Sequence, residues 1–232
     1  MLFFLLMKKK LSLFIALIVM TLSFGQKKYS FDYMIEYNYK TEQSVVTKQF
    51  ILTNSIDDSY IIYATEIGNG NLNVYFRDFK GVRSSFVLKK TDLIKAETIT
   101  LDCNLVYEQD FKKEDDSRRF SYGVNKDTII ENQNYKMYTL KFKKKWEAKK
   151  HGKGTIYYIV EPNTEFHLPL NVVVFDHTVI FDNLKILNGI PKEVFTIDRK
   201  SNEKIVFYKL LSLKKINKYI ILPKECDLTI QK

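Results

Sequence analysis

The strongest pattern in the chain is Tyr29-Ser30-Phe31-Asp32-Tyr33-Met34-Ile35-Glu36-Tyr37-Asn38-Tyr39, in which every odd position is aromatic or aliphatic. A period of two is typical of a β-strand, because successive side chains of a strand point to opposite faces of the sheet. Extended residues in such a run would span about 35 Å, roughly twice the usual strand length. The stretch therefore predicts a long strand in a tall and strongly curved sheet.

One side of this strand would carry a continuous row of apolar side chains, and the alternating segment at 45–53 would extend it. The complete predicted face is Tyr29, Phe31, Tyr33, Ile35, Tyr37, Tyr39, Phe50 and Leu52. The chain offers few amphipathic helices to cover such a face, so a partly open face would suit a lipid, an acyl chain or another hydrophobic ligand. The alternative is that the row is ordinary buried core.

Further alternating segments predict the rest of the sheet. Residues 60–67 and 72–79 flank Gly68-Asn69-Gly70-Asn71, a strong hairpin signal, because Asn and Gly tolerate the positive φ angles of a tight turn. Helical periodicity is nearly absent, and about ten short strands are separated by turns. We therefore predict a mainly β protein with a single antiparallel curved sheet, a half-barrel or open barrel, few short helices and one domain over residues 26–232.

Several local predictions follow from the same patterns. We expect one helical turn at 91–95 capped by Thr91, a strand at 97–105, and a mobile loop of mixed charge at 108–119. The apolar segment 172–181 predicts a strand covered on both faces. Residues 204–212 and 219–222 predict two closing strands of a hairpin.

The N-terminus has the pattern of a secretory signal. Three lysines at positions 8–10 precede the apolar run 11–24, and Ser23 and Gly25 are small residues suited to cleavage before Gln26. We therefore expect residues 1–25 to be a signal peptide and the protein to be exported, periplasmic or secreted. An uncleaved signal anchor is the alternative. No cysteine follows the cut directly, which argues against an N-terminal lipid anchor.

Cys103 and Cys226 are the two cysteines of the chain. An even count in an exported protein favours a disulfide, which would tie the C-terminal tail to the sheet and contribute about 2 to 4 kcal/mol. Two buried free thiols are the alternative.

The formal charge of +10 draws attention to one basic cluster. Its members are Lys143, Lys144, Lys145, Trp146, Lys149 and Lys150. Lysines around a tryptophan are suited to an anionic envelope surface, where the ring enters the interface and the ammonium groups meet phosphates. Export argues against nucleic acid as the partner. The alternative is a hairpin tip that its lysines keep soluble.

Catalytic and metal-binding patterns are weak. His167 shares strand parity with Glu165, and Asp176 adjoins His177, but no third ligand follows at a recognisable spacing. The sequence contains no nucleophile elbow and no glycine-rich phosphate loop. We therefore expect a non-enzymatic protein without a cofactor.

The last third of the chain resembles known exported proteins. The segments 155–161 and 163–169, the run 189–198 beginning Gly189-Ile190-Pro191, and the closing part 216–223 are similar in order to lipoprotein-carrier half-barrels. The Gly-Ile-Pro step and the segment 130–138 also resemble the GLPGLI family of exported proteins, although Lys192-Glu193 replaces the second Gly-Leu of that motif. The resemblance implies an unclosed antiparallel sheet with an apolar concave side.

These observations lead to two functional hypotheses. The first is an exported, non-enzymatic protein that binds a lipid or acyl chain on its curved sheet. The second is an envelope interaction or adhesion module that uses the lysine-rich hairpin on an anionic surface.

Overall fold

The computed structural model describes residues 26–40, 45–108, 120–125, 127–144, 146, 155–170, 186–197 and 203–226. The predicted signal peptide, the apolar segment 172–181 and nearly all of the charged segment 108–119 lie outside these ranges.

The described residues form mainly strands. In chain order these are β1 (Lys27–Lys40), β2 (Val46–Thr53), β3 (Tyr60–Gly68), β4 (Asn71–Asp78), β5 (Val82–Lys89), β6 (Thr98–Thr100), β7 (Val106–Glu108), β8 (Phe120–Val124), β9 (Thr128–Ile130), β10 (Gln133–Tyr135), β11 (Met137–Phe142), β12 (Ile156–Val160), β13 (Pro191–Ile197) and β14 (Lys204–Leu222). A short helix, α1 (Lys90–Lys95), follows β5 directly, and a 3₁₀ turn covers Cys103–Leu105.

Twelve of these strands join in one sheet. Along the sheet the order is β7-β5-β4-β3-β2-β1-β14-β13-β12-β11-β8, and the short β6 adds to β14 in parallel. All other described pairings are antiparallel, and the two ends of the order, β7 and β8, are not paired with each other. The prediction of a mainly β fold with one large, unclosed antiparallel sheet is confirmed. The hairpin β9-β10 forms a separate small sheet.

The pairing of β1 with β14 holds the two halves of the sheet together. The pair extends from Lys27 opposite Leu222 to Tyr39 opposite Tyr208. The prediction of two separate closing strands is wrong, because β14 is one strand of 19 residues. Its polar middle resembles a turn, but Lys218 is buried there and its ammonium group donates hydrogen bonds to the carbonyl groups of Ile94, 3.0 Å away, and Ala96.

The alternation of β1 changes by one residue in its first half. The register with β14 shifts between Phe31 and Tyr33. Asp32 lies at this shift, and its carboxylate accepts hydrogen bonds from the backbone N–H of Ser55, at 2.8 Å, and from the Ser55 hydroxyl. A shift of one residue moves all later side chains of a strand to the other face.

The predicted apolar face is therefore divided between two sides of the sheet. Leu52 lies opposite Met34, whereas Ile51 lies opposite Ile35, so Leu52 and Ile35 point to different faces. The prediction that the odd positions of β1 share a face with Phe50 and Leu52 is wrong. A single local irregularity is enough to separate them, because strand parity is binary.

One face of the N-terminal half carries a core that we call the outer core. From the first two strands it contains Tyr29, Phe31, Met34, Phe50 and Leu52, and Leu93 of α1 and Leu101 pack against it. Thr91 lies within α1 and does not cap it, since the preceding residue Lys89 is extended and β5 runs directly into the helix. The predicted strand at 97–105 is limited to β6 because the chain then turns at Asp102, whose carboxylate accepts a hydrogen bond from the backbone of Asn104.

The opposite face carries the inner core. Its buried members are Ile35, Tyr37, Ile51, Ile61, Phe120, Tyr138, Leu140, Phe142, Ile156, Tyr158, Val160, Leu170, Ile190, Val194 and Tyr208. Ile61 on β3 and Phe120 on β8 belong to the same cluster although six strands lie between them in the sheet order. The sheet must bend around this cluster, which makes the inner face its concave side.

Candidate ligand-binding face

Tyrosines dominate the inner face. Seven of them belong to the inner core or pack against it: Tyr37, Tyr39, Tyr63, Tyr122, Tyr138, Tyr158 and Tyr208. Tyr138 and Tyr158, opposite each other on β11 and β12, stack with ring centroids 4.6 Å apart. Tyr208 receives Tyr37 edge-on at 5.5 Å and Tyr39 at 4.9 Å. Such pairs add about 0.5–1.5 kcal/mol each beyond the area that they bury.

These phenols stay neutral at physiological pH. Burial raises the pKa of Tyr37, Tyr138 and Tyr208 well above the usual value, and it raises the pKa of Tyr63 to about 12. A neutral phenol is an apolar ring with one hydroxyl that donates and accepts hydrogen bonds. The inner face thus combines a large apolar surface with a few polar points.

Two of the hydroxyls hold the segment 186–191 against the sheet. The Tyr37 hydroxyl donates to the Pro191 carbonyl at 2.8 Å, and the Tyr122 hydroxyl accepts from the backbone N–H of Leu187 at 3.1 Å. Ile186 and Leu187 pack against the inner core from this segment. The segment is therefore part of the cover over the concave side.

Gly189 and Ile190 join that segment to the loop after β12. The Gly189 N–H donates to the His167 carbonyl at 2.9 Å, and the Ile190 N–H donates to the Thr164 hydroxyl at 2.9 Å. Gly189 has a φ of +120°, and a Cβ atom there would lie 2.6 Å from Cγ1 of Val160 and 2.9 Å from Oγ1 of Thr164. Only glycine fits this position, which gives the first residue of the Gly-Ile-Pro step a structural role.

Two arginines lie on the inner face at the β4-β5 end of the sheet. Arg77 on β4 is directly opposite Arg83 on β5, and on its other side it is opposite Ile61 of the inner core. Arg77 is only 9% exposed, and its guanidinium carbon lies 4.9 Å from the ring centroid of Phe79. Burial, followed by repulsion from Arg83, lowers the pKa of Arg77 to about 10. Arg77 nevertheless remains a cation at neutral pH.

Tyrosines surround the two guanidinium groups. Tyr75 forms a side-chain hydrogen bond with Arg83, and the charges of both arginines act on its phenol. Tyr63 lies directly opposite Tyr75, and Tyr107 on β7 lies directly opposite Arg83. The inner face therefore changes from apolar at its centre to cationic at this end.

Part of the inner face remains accessible to solvent. The partly buried side chains that pack on the inner core include Tyr39, Tyr63, Tyr122, Phe207, Leu210 and Leu213. They lie on strands from both halves of the sheet, and Leu210 and Leu213 lie opposite Tyr37 and Ile35. Apolar side chains with a solvated part are the ones that a ligand can still cover.

The structure distributes the residues of the sequence-predicted ligand face over three environments. Tyr29, Phe31, Phe50 and Leu52 belong to the outer core, whereas Ile35, Tyr37 and Tyr39 face inward. Tyr33 is half-buried beside the rings of Phe166, 5.4 Å away, and His167, 5.9 Å away. Ile35 and Tyr37 are fully buried, so Tyr39 is the member of the set that contributes a partly exposed surface to the inner face.

Sequence reasoning missed the inner residues of the later strands and the two arginines. The signal for Tyr138 and Tyr158 was present, since each alternates with further apolar residues along β11 and β12. Arg77 follows Val74 and Phe76 in an alternating strand, where an arginine is usually assigned to the solvent side. The bend of the sheet turns that side into its interior.

The basic cluster is described only in part. Lys143 and Lys144 are exposed, and the Lys144 ammonium nitrogen lies 5.8 Å from the ring centroid of Trp146, which is 60% exposed. Lys145, Lys149 and Lys150 lie outside the described residues. Trp146 is thus accessible to a partner.

Cys103 and Cys226 form a disulfide with a Cα–Cα distance of 4.8 Å. The bridge joins the 3₁₀ turn after β6 to the tail after β14, and Cys226 packs against the outer core. It therefore fastens the cover of the outer face to the central strand pair.

The predicted histidine sites have a structural explanation where they are described. His167 is 2% exposed, and its Nε2 atom lies 2.8 Å from the Thr53 hydroxyl. Glu165 is exposed and pairs with Lys136 at 3.4 Å. Asp176 and His177 lie outside the described residues. Within those residues, no three His, Cys, Asp or Glu side chains are placed to hold a metal ion together.

Comparisons with known proteins add no relative. No protein-family model matches the chain, and no curated protein matches it. In the described ranges, no helix combines the length and apolar character needed to cross a bilayer.

Proposed function

We propose that the inner face of the sheet binds the apolar chain of a lipid-like ligand, and that the protein is an exported, non-enzymatic binding protein. One observation carries this proposal. The concave side of an unclosed sheet is lined by aromatic and aliphatic side chains, several of which keep a solvent-accessible part. Sites for small molecules are concave and mostly apolar, with a few placed polar groups.

The energetics favour a ligand over a bare surface. Each Å² of apolar surface removed from water contributes about 25 cal/mol. Leu210, Leu213 and Tyr39 lie beside fully buried inner residues, so an acyl chain laid on them would continue the inner core. Tyrosine rings suit this role because they lose little conformational entropy when a ligand covers them.

Export is part of the same proposal. Disulfides persist in oxidising compartments, and the Cys103–Cys226 bridge is consistent with a periplasmic or secreted protein. The resemblance to lipoprotein-carrier half-barrels and to the GLPGLI family supports the same proposal, since it implies an apolar concave side.

The test is binding of a fluorescent fatty acid to the protein after delipidation. Leu210→Asn places a polar group on the inner face and should weaken binding by about tenfold, which corresponds to about 1.4 kcal/mol. The control is Leu211→Asn, because Leu211 is the extra residue of β14 at the second register shift and is 43% exposed. Equal binding by the two variants, with both folded, would contradict the proposal.

A second candidate function rests on the exposure of Trp146. We propose that Trp146 and the neighbouring lysines contact an anionic envelope surface, in addition to or instead of the inner-face ligand. Exposed tryptophan next to lysine is suited to a membrane interface. Reversing the charges of Lys143, Lys144 and Lys145 to Glu should abolish retention on anionic vesicles. Unchanged retention would argue against this function.

A further inference from the structure

We infer that the ligand of the inner face is a single-chain amphiphile with an anionic oxygen head group, and that Arg77 and Arg83 hold this head group. The inference rests on the proposed function and specifies the class of ligand. It is carried by the position of the two arginines, which lie side by side on the same concave face as the apolar lining.

The register places the cations and the apolar surface in continuity. Ile61, Arg77, Arg83 and Tyr107 lie opposite one another in a row across β3, β4, β5 and β7. Ile61 is a member of the inner core, and Phe79, under the Arg77 guanidinium, packs against that core. A chain that starts at the arginines therefore meets apolar side chains at once.

The chemistry of the pair points to an anion. Two guanidinium groups on adjacent strands repel each other, and Arg83 contributes to the lowered pKa of Arg77. An oxyanion between them would replace this repulsion by two attractions. Guanidinium groups present paired N–H donors that match a carboxylate or phosphate, and such charge-assisted hydrogen bonds are about twice as strong as neutral ones.

The neighbouring phenols complete the environment of the head group. Tyr75 and Tyr63 lie in the next row along β4 and β3, and both phenols interact electrostatically with Arg77. Burial raises the pKa of both phenols, so they are neutral hydroxyls at pH 7. A neutral hydroxyl donates a hydrogen bond to an oxyanion without adding charge.

The test compares two probes that share one chain, dodecanoate and dodecanol, together with phosphate and acetate as head groups without a chain. Wild-type protein should bind dodecanoate about tenfold more tightly than dodecanol. Arg83→Gln should remove this preference, lowering dodecanoate affinity about tenfold and leaving dodecanol affinity unchanged. Arg83 is half-buried and Arg77 is buried, so Arg83 is the safer position to change.

The matched control is Lys89→Gln, which removes one positive charge from an exposed position on the same strand. It should leave both affinities at the wild-type level. Arg77→Lys is a second variant, which keeps the charge but loses the paired donors, and it should retain part of the preference. Circular dichroism and thermal unfolding show whether each variant is folded.

The outcomes separate the two proposals. If both probes bind equally to the wild-type protein, or if Arg83→Gln weakens both to the same extent, the anionic head group is refuted while the apolar ligand stands. If neither probe binds, the proposed function is refuted and the head-group assignment with it. If phosphate or acetate alone binds as tightly as dodecanoate, the arginines form a small-anion site and the amphiphile is refuted.

Discussion

The Tyr37 hydroxyl donates a hydrogen bond of 2.8 Å to the carbonyl oxygen of Pro191, across 154 positions of the chain. It connects the central strand β1 to the first residue of β13, and both groups are buried. The contact shows how the segment that contains the Gly-Ile-Pro step is fastened to the concave side.

Tyr37→Phe should lower the free energy of unfolding by about 1–2 kcal/mol, because the Pro191 carbonyl would remain buried without its donor. Urea unfolding followed by fluorescence measures the change. Tyr33→Phe is the control, since Tyr33 is only half-buried and its hydroxyl can be replaced by water at little cost. An equal effect of both changes would mean that the Tyr37–Pro191 bond contributes nothing specific.

Gly189→Ala should destabilise the protein by about 2–4 kcal/mol, because a Cβ atom would both clash and occupy a positive φ. Gly68→Ala separates the two causes. Gly68 also has a positive φ, of +96°, but a Cβ atom there would have no neighbour within 4 Å. Its replacement should cost about 1 kcal/mol. If both variants lose the same stability in thermal unfolding, crowding at Gly189 is not important.

Reduction of the disulfide should lower stability by about 2–4 kcal/mol, because the bridge joins residues separated by 123 positions and restricts the unfolded chain. Denaturant unfolding with and without a reducing agent measures this. The double variant Cys103→Ala, Cys226→Ala should have the reduced stability under both conditions. A reducing agent that changes the double variant as much as the wild type would rule out the bridge as the cause.

His167 should make stability depend on pH. Burial lowers its pKa in the folded protein, whereas the charges of Asp32 and Asp58 oppose this shift. The unfolded chain, with a pKa of about 6.5, then binds more protons than the folded chain below that pH. Stability should therefore be complete above about pH 6.5 and should decrease as the pH falls through 6.5 towards the folded pKa.

The measurement is the urea midpoint as a function of pH between about 5 and 8. His167→Gln should flatten this profile, because glutamine does not titrate. If the variant and the wild type give parallel profiles, the pH dependence has another source.

The turns and strand segments were predictable because they depend on neighbouring residues. The hairpin at Gly68-Asn69-Gly70-Asn71 is confirmed, with φ angles of +51° at Asn69 and +71° at Gly70. By contrast, the polar middle of β14 predicted a break. Lys218 removes that break only because α1, distant in sequence, supplies carbonyl groups for its ammonium group.

The candidate site was predictable in kind and not in membership. An apolar concave side followed from the aromatic content and the shortage of helices, and Ile35, Tyr37 and Tyr39 do face inward. The arginines were not predictable, because an inward arginine has the same local pattern as an outward one. Its location depends on the direction in which the sheet bends.

Local alternation and turn chemistry were sufficient to establish the β class, most hairpins and the long strand near the start of the described chain, since each depends on residues adjacent in sequence. The side to which each aromatic ring points depends on the register between β1 and β14, whose paired residues lie far apart in the chain. One shift at Phe31 assigns its ring and that of Tyr37 to different cores, because strand parity has only two values and long-range pairing selects between them.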